Sequence, residues 1–181
     1  MHSDAPARQI SRARPVLLLV GGPAGVGKST LARAWYAARA RAAHVPLDEV
    51  RHLIVAGRAD PQQPGSLQSE QYTFSVRACV ALARIFIEDG YDVAVDDVLE
   101  PATFERDWRP LLDELAWRLV IVLPDLEVVP RRSQAREKRV LEAHSRAQHA
   151  ACAAWSPEYL VDTTGLTVEE SLALGRRVSG A

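Results

Sequence analysis

The sequence predicts an α/β fold, a three-layer sandwich whose central parallel sheet has about five strands. Three observations carry this. Short aliphatic runs alternate with helix-forming segments from residue 16 to the end of the chain. The first run, Val16 to Val20, is apolar at every position, as in a strand covered on both faces. A glycine-rich turn joins that run directly to a helix-forming segment. In such a sheet the loops that follow the strands share one edge, and ligands are expected there.

The elements follow in order. Pro15 and Gly21 bound the first strand, and Ser29 to Arg41, rich in alanine and leucine, reads as a helix. Residues 43–47 form a short second strand, and Asp48 to Ala56 a short helix. Residues 57–66 combine Gly, Pro and polar residues and read as an exposed loop, a candidate mobile element. From Leu67 to Asp89 a long helix places Phe74, Ala78, Leu82 and Ile85 on one stripe, by which it is expected to pack, and Gly90 is placed to end it. Tyr91 to Val95 is the third strand and runs into Asp96 and Asp97. A helix over 102–115, a strand over 117–123, helices within 130–154, a strand over 159–161 and a helix over 168–177 complete the alternation. With 181 residues and no internal repeat, the chain reads as one domain over 15–181, with residues 1–14 as a flexible extension.

Composition excludes several classes. The 22 basic and 23 acidic residues leave a net charge of −1, which lacks the field needed for non-specific nucleic-acid binding. The longest apolar runs are about a strand long, short of the ~20 residues of a membrane helix, so no membrane partner is expected. Residues 1–15 lack the apolar core of a secretion signal, and Cys79 and Cys152 stand far apart without metal-ligand spacing. A reducing, cytoplasmic setting is the expectation. His144 and His149, five apart, make no metal site, and the four tryptophans read as core or interface residues. Oligomeric state is left open.

Gly22-Pro23-Ala24-Gly25-Val26-Gly27-Lys28-Ser29 fits G-x-x-x-x-G-K-[ST] at every fixed position, between a predicted strand and a predicted helix. Glycines let successive backbone N–H groups close round an anion, and the following helix, with Thr30 in its first turn, adds its positive end. Lys28, one of only two lysines beside 20 arginines, is placed to reach the β- and γ-phosphates of ATP. Ser29 would offer its hydroxyl to Mg2+. Asp96 and Asp97, at the end of an apolar strand, are the carboxylates expected to hold that ion, Asp96 first; capping or turn roles are the alternative.

Arg131, Arg132, Arg136, Lys138 and Arg139 place five cations within nine residues. On a helix Arg132, Arg136 and Arg139 share a face that could close over a triphosphate, a lid around 130–155; a solvated face paired with glutamates is the alternative. Asp48, after the second strand, could accept a proton from an acceptor hydroxyl or simply cap the helix. Tyr72 and Arg77 could line an acceptor pocket or sit on the surface.

On GGPAGVGKS, PLDEVRHLI, VAVDDV, RRSQAREKR and VDTTG the chain resembles a chloramphenicol phosphotransferase-like member of the P-loop kinase superfamily, related to zeta-toxin, shikimate and gluconate kinases. The resemblance covers nearly everything after Pro15. It implies that Asp48 is the catalytic base, that Arg132 and Arg136 are lid arginines in contact with nucleotide, and that Thr163 and its neighbours border the adenine. The expected activity is transfer of the γ-phosphate of Mg-ATP to a hydroxyl of a small molecule such as an antibiotic, sugar or nucleoside-type metabolite. A polynucleotide or sugar-nucleotide kinase of zeta-toxin type is one alternative, and a regulatory ATPase without transfer is another. Between Asp48 and the long helix the chain departs from the family pattern. Val50 to Phe74 carries only Arg51 and Arg58 as cations, which suits a neutral or weakly polar acceptor better than a nucleic acid.

Overall fold

The computed structural model describes residues 14–37, 39–60, 65–127 and 142–180. Its strands are β1 (Leu17–Gly21), β2 (Ala42–His44), β3 (Asp92–Asp96), β4 (Trp117–Val122) and β5 (Leu160–Val161). They form one sheet in the order β2-β3-β1-β4-β5, parallel at every pairing. The helices are α1 (Lys28–Tyr36), α2 (Leu47–His52), α3 (Ser66–Glu88), a helical turn α4 (Pro101–Thr103), α5 (Glu142–Ala153) and α6 (Val168–Ser179). This is the predicted sandwich. No helix among the described residues is long and apolar enough to cross a membrane.

Alternation along β1 sorts the core into two halves. Leu17 and Leu19 face a cluster with Val93, Val95, Leu119 and Ile121 beneath α3, while Leu18 and Val20 face another with Ala94, Val120 and Val122 beneath α1. Each fully buried aliphatic side chain contributes about 1.5–3 kcal/mol, so an all-apolar central strand anchors both layers at once. On the α1 side Gly175 of α6 lies against Trp35; a Cβ there would stand 2.5 Å from the indole. A capping box of Thr167 and Glu170 opens α6.

Several expectations are corrected. α3 does not pack by Phe74, Ala78, Leu82 and Ile85: Phe74 and Ile85 are 55% and 61% exposed, and Val76, Cys79, Val80 and Ala83 face the sheet instead. The helix carries apolar stripes on two faces, and the one with smaller, β-branched and alanine side chains allows the closer approach to the sheet. The helix expected over 102–115 breaks into α4, a π-turn over Phe104–Trp108 and a 3-10 turn over Arg109–Leu111. Pro110 has no N–H to continue an α ladder. α1 stops at Tyr36, five residues early, because Arg41 already accepts from Asp92 N–H at 3.2 Å at the entrance to β2. β2 in turn ends at His44, since Pro46 cannot donate to the ladder. The loop after α2 is tied down in its described part: Gln71 donates to Gly57 O at 2.7 Å and accepts from Ala59 N–H at 2.8 Å. Gly90 ends α3 as expected, at φ 82°.

Candidate active site

The loop from Gly22 to Gly27 leaves the end of β1 and turns into α1 at Lys28. Gly22 has φ 137°, and a Cβ there would lie 2.3 Å from Val122 O, so only glycine lets the loop pass the end of β4. Gly25 (φ 81°) and Gly27 (φ 103°) also take left-handed backbone. Around Gly27 nothing lies within 4 Å of where a Cβ would sit. Val26, 2% exposed, pins the loop to the core below. Ala24 N–H donates to Gln148 Oε1 of α5 at 3.0 Å. Pro23 accepts from Lys28 Nζ at 2.8 Å, folding the lysine back across its own loop.

Around this lysine the strand ends gather carboxylates. Burial of the amine lowers the Lys28 pKa, and the charges of Asp96, Asp97 and Asp48 act in the opposite direction. A partly desolvated cation among carboxylates suits a phosphate that arrives with its own counter-ion. Ser29 Oγ–H donates to Asp96 Oδ2 at 2.8 Å. A hydroxyl and a carboxylate held this close are the hard oxygen donors that magnesium takes. The loop and this pair therefore fit a magnesium–nucleotide complex. His44, at the end of β2, meets the other oxygen of Asp96 at 2.5 Å through Nε2. Burial raises the pKa of Asp96, but hydrogen bonds from His44 and Ser29 outweigh it and hold the carboxyl below its ordinary value.

Asp97 turns elsewhere. Its Oδ2 accepts from Tyr72 Oη–H at 2.5 Å and its Oδ1 from Val98 N–H at 2.7 Å, while Tyr72 Oη accepts from Trp108 Nε1–H at 3.1 Å. Burial pushes the Asp97 carboxyl up to about 6, against the pull of these donors.

Asp48 lies in the first turn of α2, two residues past the capping position, which Pro46 occupies, and no side chain caps the helix. Its side chain is 70% exposed, with the well-covered Arg51 guanidinium 4.0 Å away. Such a carboxylate is open to an incoming group. Thr30 falls in the first turn of α1, and Thr163 is buried just past β5, on the same edge of the sheet as the loop after β1. Arg132 and Arg136 lie outside the described residues.

Of the two acceptor-side candidates, Tyr72 points inward to Asp97, whereas Arg77 lines an open cleft of about 470 Å³ with Ser69, Glu70, Thr73, Phe74 and Arg106. Trp35, Trp108 and Trp155 are core residues as expected, and the thiols of Cys79 and Cys152 are buried, each pushed up to about 12 chiefly by desolvation. Among the described residues no group of three or more His, Cys, Asp or Glu is placed to hold a metal ion. His44, Trp108 and Gln148 were not legible as site residues: each is a lone polar or aromatic side chain whose partner lies far along the chain.

No curated protein matches the chain by sequence. Among solved structures it is similar to the tunicamycin resistance protein of Deinococcus radiodurans, at 16% identity and TM-score 0.63 over 92% of this chain and 95% of that one. The APS kinase of Mycobacterium tuberculosis, solved with AMPPNP and APS, is 17% identical with TM-score 0.64 over 93% and 99%. Shikimate kinase of Bacteroides thetaiotaomicron is 13% identical with TM-score 0.64 over 92% and 99%. At these identities the likeness concerns the fold, which is that of the P-loop kinases. With a sequence match that runs from residue 17 to residue 158, the chain belongs to the AAA_33 family of AAA domains.

Proposed function

We propose that this protein is an ATP-dependent phosphotransferase that moves the γ-phosphoryl group of Mg-ATP to a hydroxyl of a small molecule. The observation that carries the reading is the convergence at one sheet edge of a glycine loop in left-handed backbone, Lys28, the Ser29–Asp96 pair and the accessible Asp48 carboxylate. A switch or regulatory ATPase has no need of the last. Two of the similar folds are kinases, an APS kinase solved with AMPPNP and a shikimate kinase, which supports it.

In this reading the N–H groups of residues 25–30 wrap the phosphates, and Lys28 exchanges its bond to Pro23 for the β- and γ-phosphate oxygens. Ser29 and Asp96 would hold magnesium, which would offset charge on the β- and γ-phosphates. Asp97, committed to Tyr72 and Val98, supports the acceptor side. Asp48 accepts the proton of the acceptor hydroxyl as its oxygen bonds to the γ-phosphorus and the bond to the β-phosphate oxygen breaks, releasing ADP. Arg132 and Arg136 close over the triphosphate from a lid around 130–155, and Thr163 borders the base. The chain acts as one domain over 15–181 in the cytoplasm. The acceptor is neutral or weakly polar.

Labelled ATP presented with parallel panels of hydroxylated metabolites, antibiotics and oligonucleotides tests the assignment. Transfer to a small molecule is the expected result. Labelling of oligonucleotide 5′ ends alone would replace it with the polynucleotide-kinase reading, and acceptor-independent hydrolysis with the regulatory ATPase.

A further inference from the structure

The register of β2 against β3 sets His44 opposite Ala94, and Val45 N–H continues the ladder to Ala94 O at 2.8 Å. Paired residues share a face, and Ala94 and Asp96, two apart, share it too. The single methyl of Ala94 leaves the space through which the imidazole crosses to the carboxylate. On that face α1 supplies Arg33, whose Nε–H donates to His44 Nδ1 at 3.4 Å. Because Nδ1 accepts, the ring proton sits on Nε2, and Nε2–H is the group that meets Asp96 Oδ1 at 2.5 Å. Ser29 occupies Oδ2. The His44 and Asp96 side chains are 14% and 8% exposed, so the bond between them is largely withdrawn from water, while Arg33 reaches the imidazole from the exposed side.

We propose that His44 is a positioning residue for Asp96: by holding Oδ1 it fixes the rotation of the carboxylate, so that Oδ2 is aimed at Ser29 and at the metal the two would share. This rests on the kinase reading of the Ser29–Asp96 pair. Without the imidazole, the Asp96 carboxylate could rotate about its Cβ–Cγ bond and meet the ion with either oxygen and no defined direction. Partners that orient a ligating carboxylate typically change metal affinity by about 10–100-fold when removed. Arg33 acts one step further back, by fixing the tautomer.

The test measures binding of a non-hydrolysable ATP analogue by calorimetry across a magnesium series and without metal, with melting temperature followed in parallel. Compared with wild type, His44→Leu is expected to raise the magnesium concentration at half-maximal enhancement by about 10-fold or more, with metal-free nucleotide affinity unchanged. His44→Gln, whose amide nitrogen reaches the place of Nε2, is expected to restore the wild-type midpoint, and His44→Asn, too short to do so, is not. If His44→Leu does not fold, the Gln and Asn variants decide between themselves. A wild-type midpoint in His44→Leu or His44→Asn, or equal losses with and without metal, would overturn the role. A wild-type protein that binds the analogue with no metal dependence would overturn the kinase reading and this role together. Normal metal dependence in wild type with no response to His44 overturns this role alone.

Discussion

Asp96 and Asp97, neighbours at the end of β3, turn their carboxylates to different partners, Asp96 to Ser29 and His44, Asp97 to Tyr72 and Val98. The strand alternates its faces up to that point, so adjacency in sequence becomes separation in role. Asp96→Asn is expected to lower magnesium-dependent turnover by roughly 10²-fold or more, because an amide cannot supply the charge the ion needs. Asp97→Asn should leave the magnesium requirement where it is. Turnover titrated against magnesium separates the two variants, and an equal shift in both would end the division of labour.

Lys28→Ala removes the cation that crosses the glycine loop. The lysine amine bonds only to the loop's own Pro23 O among the contacts described above, so the substitution should leave circular dichroism and melting temperature near wild type. Nucleotide affinity should fall below detection in calorimetry with magnesium present. Wild-type affinity would refute the cradle.

Asp48→Asn keeps the size and exposure of the side chain while removing its capacity to take a proton. ATP affinity should be almost unchanged and transfer to the acceptor should drop by roughly 10²-fold or more. Should both stay at wild-type level, Asp48 is a surface residue in the first turn of α2.

Two glycines of the loop should respond differently to alanine. At Gly22 the added methyl meets Val122 O at 2.3 Å on top of φ 137°, and we expect a loss of about 3 kcal/mol or more by chemical denaturation. At Gly27 the space is open and φ is 103°, so the loss should be about 1–2 kcal/mol, from backbone strain alone. Equal stability losses would show that the contact with Val122 is relieved by loop movement.

What the sequence disclosed, and what it withheld, follows from how local each signal is. Gly22 to Ser29 is contiguous, and its meaning depends only on a strand before it and a helix after it. Asp96 was legible because an apolar strand ends on it. His44 was not, because its role exists only when β2 pairs with β3 in the register that sets it opposite Ala94, and a three-residue strand carries almost no periodic signal. The Tyr72–Asp97–Trp108 chain likewise joins residues 25 and 36 positions apart. In α3 the period of 3.6 was right and the face was wrong: periodicity finds stripes, and two apolar stripes leave the choice to packing against the sheet.

The strand order has a consequence for how the molecule is made. β1 leaves the ribosome early, yet its two neighbours are β3 at Asp92–Asp96 and β4 at Trp117–Val122. At about 5–20 residues per second, the roughly 100 residues between β1 and the end of β4 take about 5–20 s to synthesise. Until residue 96 is made Leu17 to Val20 has no complete ladder partner, and its second is complete only at residue 122. The most apolar strand of the protein is thus the one that waits longest for shelter, and a nascent chain halted before β4 should depend on chaperones to a degree that the finished protein does not.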